Sequence, residues 1–294
     1  MVSWLDANAT TMLNGLALAG VLFLIAVGLS LVFGTMDVLN LAHGAISLTG
    51  AYVGVALLDG QTSIAMFLAT VLAAAAIGLV AGAILAAMTS SVSNHLRQAL
   101  LTLGVALIAG DVLREIFGSD VESVAPPEAL AGSVSVLGNP YPVYRLVMVG
   151  VGVLVALALY VVLERTRAGA VVRATVADRD MVEAIGIRTR LVLGAVFGAG
   201  AALAAVGGLM AAPVLGAQPG LDDTILLLAL VIVVIGGLGS LRGAVVGALL
   251  VGQVQTLGVS MFSGSASFLL FGAMAIVLLL RPAGLLPAKT GAHP

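Results

Sequence analysis

The stretch Glu164–Arg190, ERTRAGAVVRATVADRDMVEAIGIRTR, carries Arg165, Arg167, Arg173, Arg179, Arg188 and Arg190, six of the twelve basic residues of the chain, and beside them Glu164, Asp178, Asp180 and Glu183. Hydrophobic stretches flank it, 143–163 before and 191–213 after. A dense cationic island between two such stretches reads as a cytoplasmic loop, because positive juxtamembrane loops resist translocation. Within it, Ala177–Ile187 sets apolar Met181, Val182, Ile185 and Ile187 among charges. That pattern predicts a short amphipathic helix along the membrane surface, which is the form of a docking element.

The composition around this island has one reading. Of 294 residues, 61% are hydrophobic and 9% charged, against about 25% charged in a soluble globule. The chain is expected to be all-α, a polytopic transmembrane helical bundle forming one domain over 1–294. The net charge of −2 hides a segregation of charges by membrane side. Cysteine is absent, which excludes disulfides and thiolate metal sites. The start, MVSWLDANATTML, has no basic residue ahead of its apolar run, which argues against a cleaved signal peptide.

At about 17–25 apolar residues per span, segments fall at 12–33, 41–58, 64–88, 99–117, 143–163, 191–213, 223–240, 243–260 and 265–281. About nine spans are expected, eight to ten being compatible, with some broken or re-entrant. Alternation from a cytoplasmic 164–190 puts the N-terminus and the loops 59–63, 118–142, 214–222 and 261–264 outside. It puts 34–40, 89–98, 241–242 and the C-terminus inside. Arg97, the six loop arginines, Arg242, Arg281 and Lys289 then lie inside and only Arg114 and Arg145 outside, in agreement with the positive-inside rule. The acidic outer loop 118–142 contains Pro126, Pro127, Pro140 and Pro142 and is expected to be non-helical.

The run Val234–Gly252, VIGGLGSLRGAVVGALLVG, clusters Gly236, Gly237, Gly239 and Gly243. Glycines three or four apart let helices approach closely in lipid; the same run also suits a turn or a broken helix lining a cavity. Both readings stay open.

Chemical motifs are missing where an enzyme would need them. The only lysine is Lys289, so there is no phosphate-binding G-x-x-x-x-G-K-[ST] motif, and His43, His95 and His293 are far apart. No catalytic residue and no metal site is expected. Polar residues within spans are informative because they are costly in hydrocarbon without a partner or a wet cavity. Asn40, His43 and Ser47 fall on one helical face in LNLAHGAISLTGAY, with Thr49 nearby; amide, imidazole and hydroxyl groups can serve a zwitterionic or amide solute. The simpler reading is bonding between helices. Asp111, Arg114 and Glu115, at i, i+3 and i+4, are expected to pair with one another.

GLSLVFGTMDVLNLAHGAISLTGAY (Gly28–Tyr52), RATVADRDMVEAIGI (Arg173–Ile187), VIGGLGSLRGAVVGALLVG and RPAGLLP (Arg281–Pro287) together resemble the inner-membrane permeases of bacterial branched-chain amino-acid ABC transporters, in the form of the shorter of their two permease subunits. The resemblance covers most of the chain. It implies an importer with a second permease subunit, two cytoplasmic ATPase subunits that bind ATP and Mg²⁺, and a periplasmic or lipid-anchored solute-binding protein. It implies no cofactor in this chain and no nucleic acid. Permeases for urea and short-chain amides are similar too, and an ion-coupled carrier would need charges deep in its spans. The resemblance places the ATPase-coupling element at Arg173, Asp178, Arg179, Met181, Val182, Glu183, Ala184, Ile185 and Gly186. Met181, Val182 and Ile185 are the expected apolar knobs, and Gly186 is expected to end the helix.

Overall fold

A computed structural model of the chain describes residues 2–60, 63–92, 94–136, 139–261 and 266–287, and for 2–7 and 266 the backbone alone. Each expected hydrophobic segment carries a helix: α1 (Val2–Met36), α2 (His43–Leu58), α3 (Ile64–Ser90), α4 (His95–Phe117), α5 (Val143–Arg165), α8 (Thr189–Leu215), α9 (Leu221–Gly236), α10 (Leu241–Met261) and α11 (Ala266–Leu280). The protein is an all-α polytopic membrane protein. Among the described residues, α1 from Asn8 onward, α3, α5, α8 and α10 are long and apolar enough to cross a membrane. Helices α2, α9 and α11 have 16, 16 and 15 residues. They rise about 24 Å, short of a hydrocarbon core of about 30 Å. Residues 262–264 of the expected turn, and Lys289, lie outside the described residues.

The 164–190 stretch folds as two helices, α6 (Arg167–Ala177) and α7 (Arg179–Ala184). The second lies within 177–187, where one short surface helix is expected, and α6 is a further helix ahead of it. The break is Asp178, extended at φ −154°, whose carboxylate accepts from Met181 N at 2.9 Å and caps α7. An aspartate that offers its side chain to the backbone favours a helix start over a helix interior. We refer to this side of the bundle as the loop end and to the other as the far end.

Helix α8 is the centre of the bundle, packed against α1, α2 and α3. Small residues let these backbones meet. A Cβ at Gly28 would lie 2.3 Å from Gly200 O, one at Gly50 1.9 Å from Ala205 O, and one at Gly208 1.8 Å from Ser47 O. Such approach is the main means of helix association in lipid, where apolar surface gains nothing by leaving a solvent as apolar as itself. Among the described residues the largest fully buried side chains include Phe197, Leu209, Ile225 and Ile232, all on α8 and α9.

At the far end, the prolines of 118–142 admit only a 3₁₀ turn at Glu128–Leu130 and an antiparallel hairpin of β1 (Ser133–Val136) and β2 (Asn139–Pro142). The loop is tied to the α8–α9 connection by paired backbone bonds of 2.8 Å each between Glu122 and Ala217. Buried Tyr144 donates to Met210 O at 2.9 Å, joining α5 to α8.

At the loop end the four glycines divide between helix packing and a turn. Gly236 and Gly243 pack α9 against α10, where a Cβ on either would lie 2.2–2.3 Å from the other's carbonyl oxygen. Gly237 and Gly239, at φ 109° and 71°, make the turn between the helices, a conformation that side chains disfavour. The segment 281–287 then folds over this turn. Leu285 N and Leu286 N donate to Ile235 O and Gly236 O at 2.8 and 2.9 Å, satisfying carbonyls that the last turn of α9 leaves without helical partners.

Candidate functional site

Helix α7 is held on both sides by its sequence. Asp178 caps its start, and Gly186, at φ 89°, ends it. Gly186 N donates to Glu183 O at 2.9 Å and Ile187 N to Val182 O at 3.3 Å, the two bonds of a Schellman cap with glycine at its left-handed position. The Glu183 carboxylate then reaches across to α8. Its Oε1 accepts from Thr189 Oγ1 and, at 3.2 Å, from Arg179 Nε, which also lies 3.2 Å from Thr189 Oγ1. The Thr189 bond first, and Arg179 second, hold the Glu183 carboxyl below its ordinary value of 4.5. Among the described residues Arg179–Glu183 is the one ion pair.

Within the predicted coupling set, Arg173, Asp178, Arg179, Met181, Glu183, Ala184, Ile185 and Gly186 are exposed. Met181 and Ile185 stand out at 65% and 69% exposure, whereas Val182 is 4% exposed. Val182 is therefore no external knob: α7 packs on α6 and α8, and Val182 is its one buried residue.

The polar residues of the Gly28–Tyr52 motif lie inside the bundle. Asn40, His43 and Ser47 are fully buried, and Thr49, half-buried, bonds back to Ala45 O at 2.8 Å. Residues 37–42 are non-helical, and Thr102 of α4 serves their backbone, accepting from Leu41 N at 3.1 Å and donating to Leu39 O at 3.3 Å. Irregular backbone at membrane depth needs such partners. Asn40 Oδ1 accepts from Ala42 N at 3.1 Å, opening α2. His43 Nε2 lies 2.8 Å from Ile25 O. A carbonyl can only accept, so Nε2 carries the proton and Nδ1 presents a lone pair. Asn40 Nδ2, His43 Nδ1 and Ser47 Oγ are buried without a hydrogen-bond partner, an arrangement that costs free energy and calls for a reason.

Two cavities open beside this core. One, of about 300 Å³, lies between α2, α4 and the first turn of α9, and Asp111, Arg114, Asp222 and Asp223 line it. The other, of about 210 Å³, lies beside Asn14 and Arg145, which hydrogen-bond to each other. The expected pairing of Asp111, Arg114 and Glu115 is not seen: among the described residues Arg179–Glu183 is the one ion pair within 4.0 Å. The first cavity was missed from sequence because Asp222 and Asp223 reach it from a helix more than a hundred residues away. The charges Asp111, Arg114, Glu115, Asp222 and Asp223 at the ends of two apolar segments were the available signal.

A family model described as branched-chain amino acid transport system / permease component matches residues 11–279. The chain is 29% identical to the high-affinity branched-chain amino acid transport system permease protein BraD of Pseudomonas aeruginosa, covering 94% of each chain. It is 28% identical to the permease protein LivH of the corresponding system of Escherichia coli K12, again over 94% of each. A probable branched-chain amino acid transport permease protein LivH of Methanocaldococcus jannaschii is 27% identical, with 93% of this chain and 88% of that one covered. Among solved structures, PsaBC from Streptococcus pneumoniae in complex with Fab aligns over 95% of both chains with a TM-score of 0.46 and 15% identity.

Proposed function

The chain belongs to the branched-chain amino acid transport system permease family, and from that premise we propose that it forms the membrane pathway of an ATP-driven importer of branched-chain amino acids. It works by alternating access in a bacterial inner membrane, with its N-terminus outside and its C-terminus and the 164–190 loop in the cytosol. Its partners are a second permease subunit, making a heterodimer, two ATPase subunits that hold ATP and Mg²⁺, an external solute-binding protein, and lipid. The positive-inside distribution of the basic residues supports the orientation.

The observation that carries this reading is the bond from Glu183 to Thr189. It joins the one exposed short helix of the loop to the first residue of α8, which is the central helix of the bundle. Closure of the ATPases moves α7 through Met181 and Ile185, and Glu183 passes that movement to α8. The α2 residues packed on α8 move with it. Asn40, His43, Ser47 and Thr49 then line the solute path, and the buried Nδ2, Nδ1 and Oγ groups that lack partners here gain water or solute. Such two-state switching of packed helices is a common transport response. Gly236, Gly237, Gly239 and Gly243 keep the loop-end hairpin rigid beside it.

Uptake of labelled leucine and, separately, labelled urea into vesicles holding this chain with its co-encoded partners tests the proposal. Leucine accumulation that requires ATP is expected. Urea uptake alone refutes the cargo, and accumulation without ATP refutes the coupling.

A further inference from the structure

The geometry points to the cavity between α2, α4 and α9 as a binding site for a zwitterionic amino acid with an aliphatic side chain. The inference rests on the proposed import function and deepens it by naming the groups that would read the solute.

The cavity has a charged end and a greasy end. On α4, Asp111 and Arg114 are one turn apart and share a face with Leu107 and Leu103, one and two turns earlier. On α9, Asp222 and Asp223 stand in the first turn and Leu226 follows one turn deeper. Leu41, from the turn before α2, and Ala45 and Leu48 of α2 close the opposite wall. The charges therefore gather toward the far end and the aliphatic groups toward the middle of the bundle. At about 300 Å³ the space is at the lower limit of ligand pockets, the scale of a single amino acid.

The charges are arranged for a guest and not for one another. No ion pair within 4.0 Å joins Arg114 to any of the three carboxylates among the described residues, the one such pair in the molecule being Arg179–Glu183. Gly110 lines the space beside Asp222, where a Cβ would make an ordinary contact of 3.6 Å with Asp222 Oδ2. Asp111, Arg114 and Asp223 are exposed and Asp222 is half-buried, so a guest can reach all four. An α-carboxylate on Arg114 and an α-ammonium among Asp111, Asp222 and Asp223 would supply partners of both signs, the guanidinium being suited to a planar carboxylate. The side chain of leucine, isoleucine or valine would then lie among Leu41, Leu103 and Leu107. A neutral amide such as urea satisfies neither charged end.

The test is photolabelling with a diazirine analogue of leucine on the complete transporter in lipid nanodiscs, with leucine uptake measured in parallel on the same preparation. Peptides from 103–114 and 220–226 are expected to carry the label, and excess leucine to remove it. Arg114→Gln should reduce labelling more than fivefold, Arg114→Lys less than that, and Glu115→Gln, on the same helix but outside the cavity, not at all. Leucine uptake with label confined to the cavity beside Arg145, or unaffected by Arg114→Gln, overturns the site and leaves the import function standing. Absence of leucine uptake overturns both.

Discussion

Glu183 accepts a hydrogen bond from the hydroxyl of Thr189, and through it a six-residue helix at the loop end of the bundle is fastened to the first residue of the helix at the centre of the bundle. In Glu183→Arg the carboxylate is replaced by a charge that repels Arg179. The variant is expected to stay in the membrane at normal level while ATP-driven uptake is lost. Wild-type uptake by that variant would remove α7 from the coupling path.

The same contact has a pH signature. Its partners lower the Glu183 carboxyl below 4.5, so the charged form is favoured in the folded protein. The contribution of this contact is fully present above the unfolded value and is lost as pH falls through the lowered folded one. The junction is therefore constant through the neutral range. Thr189→Val, which removes the largest contribution, should move the Glu183 midpoint up toward 4.5. Carboxyl-labelled NMR of the protein in nanodiscs measures that midpoint; an unchanged value would mean that Arg179 alone sets it.

Gly186 has a positive φ and open space around it, since a Cβ there would meet nothing within 4 Å. Gly186→Ala therefore strains the backbone without a clash and should cost about 1 kcal/mol. The amides of Gly186 and Ile187 should exchange about fivefold faster with solvent as the cap loosens. Gly186→Asn, which tolerates the left-handed region better, should fall between the two in the same exchange measurement.

Close approach of α2 and α8 predicts the opposite kind of defect. Gly208→Ala would put a methyl 1.8 Å from Ser47 O, and forced overpacking costs about 1–3 kcal/mol or more. Gly150→Ala and Gly194→Ala meet nothing within 4 Å and should be neutral. Thermal unfolding in detergent should show a lowered midpoint for the first variant alone.

Tyr144→Phe deletes the bond from α5 to Met210 O with little change of shape. About 1 kcal/mol of stability should be lost, read in the same thermal assay, with membrane insertion unaffected.

How far the sequence reached depends on the kind of interaction. The helical segments were legible because each is a local run of apolar residues closed by charge, glycine or proline, and the cap at Gly186 was legible because only its own turn decides it. The short helix α7 lies inside the expected 177–187 and is opened by a local cap, Asp178 on Met181 N, whereas α6 ahead of it was not expected. Helical spacing placed His43 and Ser47 on α2, but Asn40 lies in the non-helical turn before it. The partner of His43 did not follow from spacing, because Ile25 O lies on another helix, eighteen residues away. Val182 and Ile185 look alike as letters; packing on α6 and α8 buries one and leaves the other exposed.

The fold of 281–287 over the α9–α10 turn also sets an order of assembly. Leu285 and Leu286 bond to carbonyls fifty residues upstream, at Ile235 and Gly236. At a synthesis rate of about 5–20 residues per second, those fifty residues take about 3–10 s to make. During that interval α9 has already left the ribosome with its last carbonyls still lacking their permanent partners. The α9–α10 turn is thus closed only once the C-terminal segment has been made, and a nascent chain halted within α11 would leave that corner open to quality-control proteases.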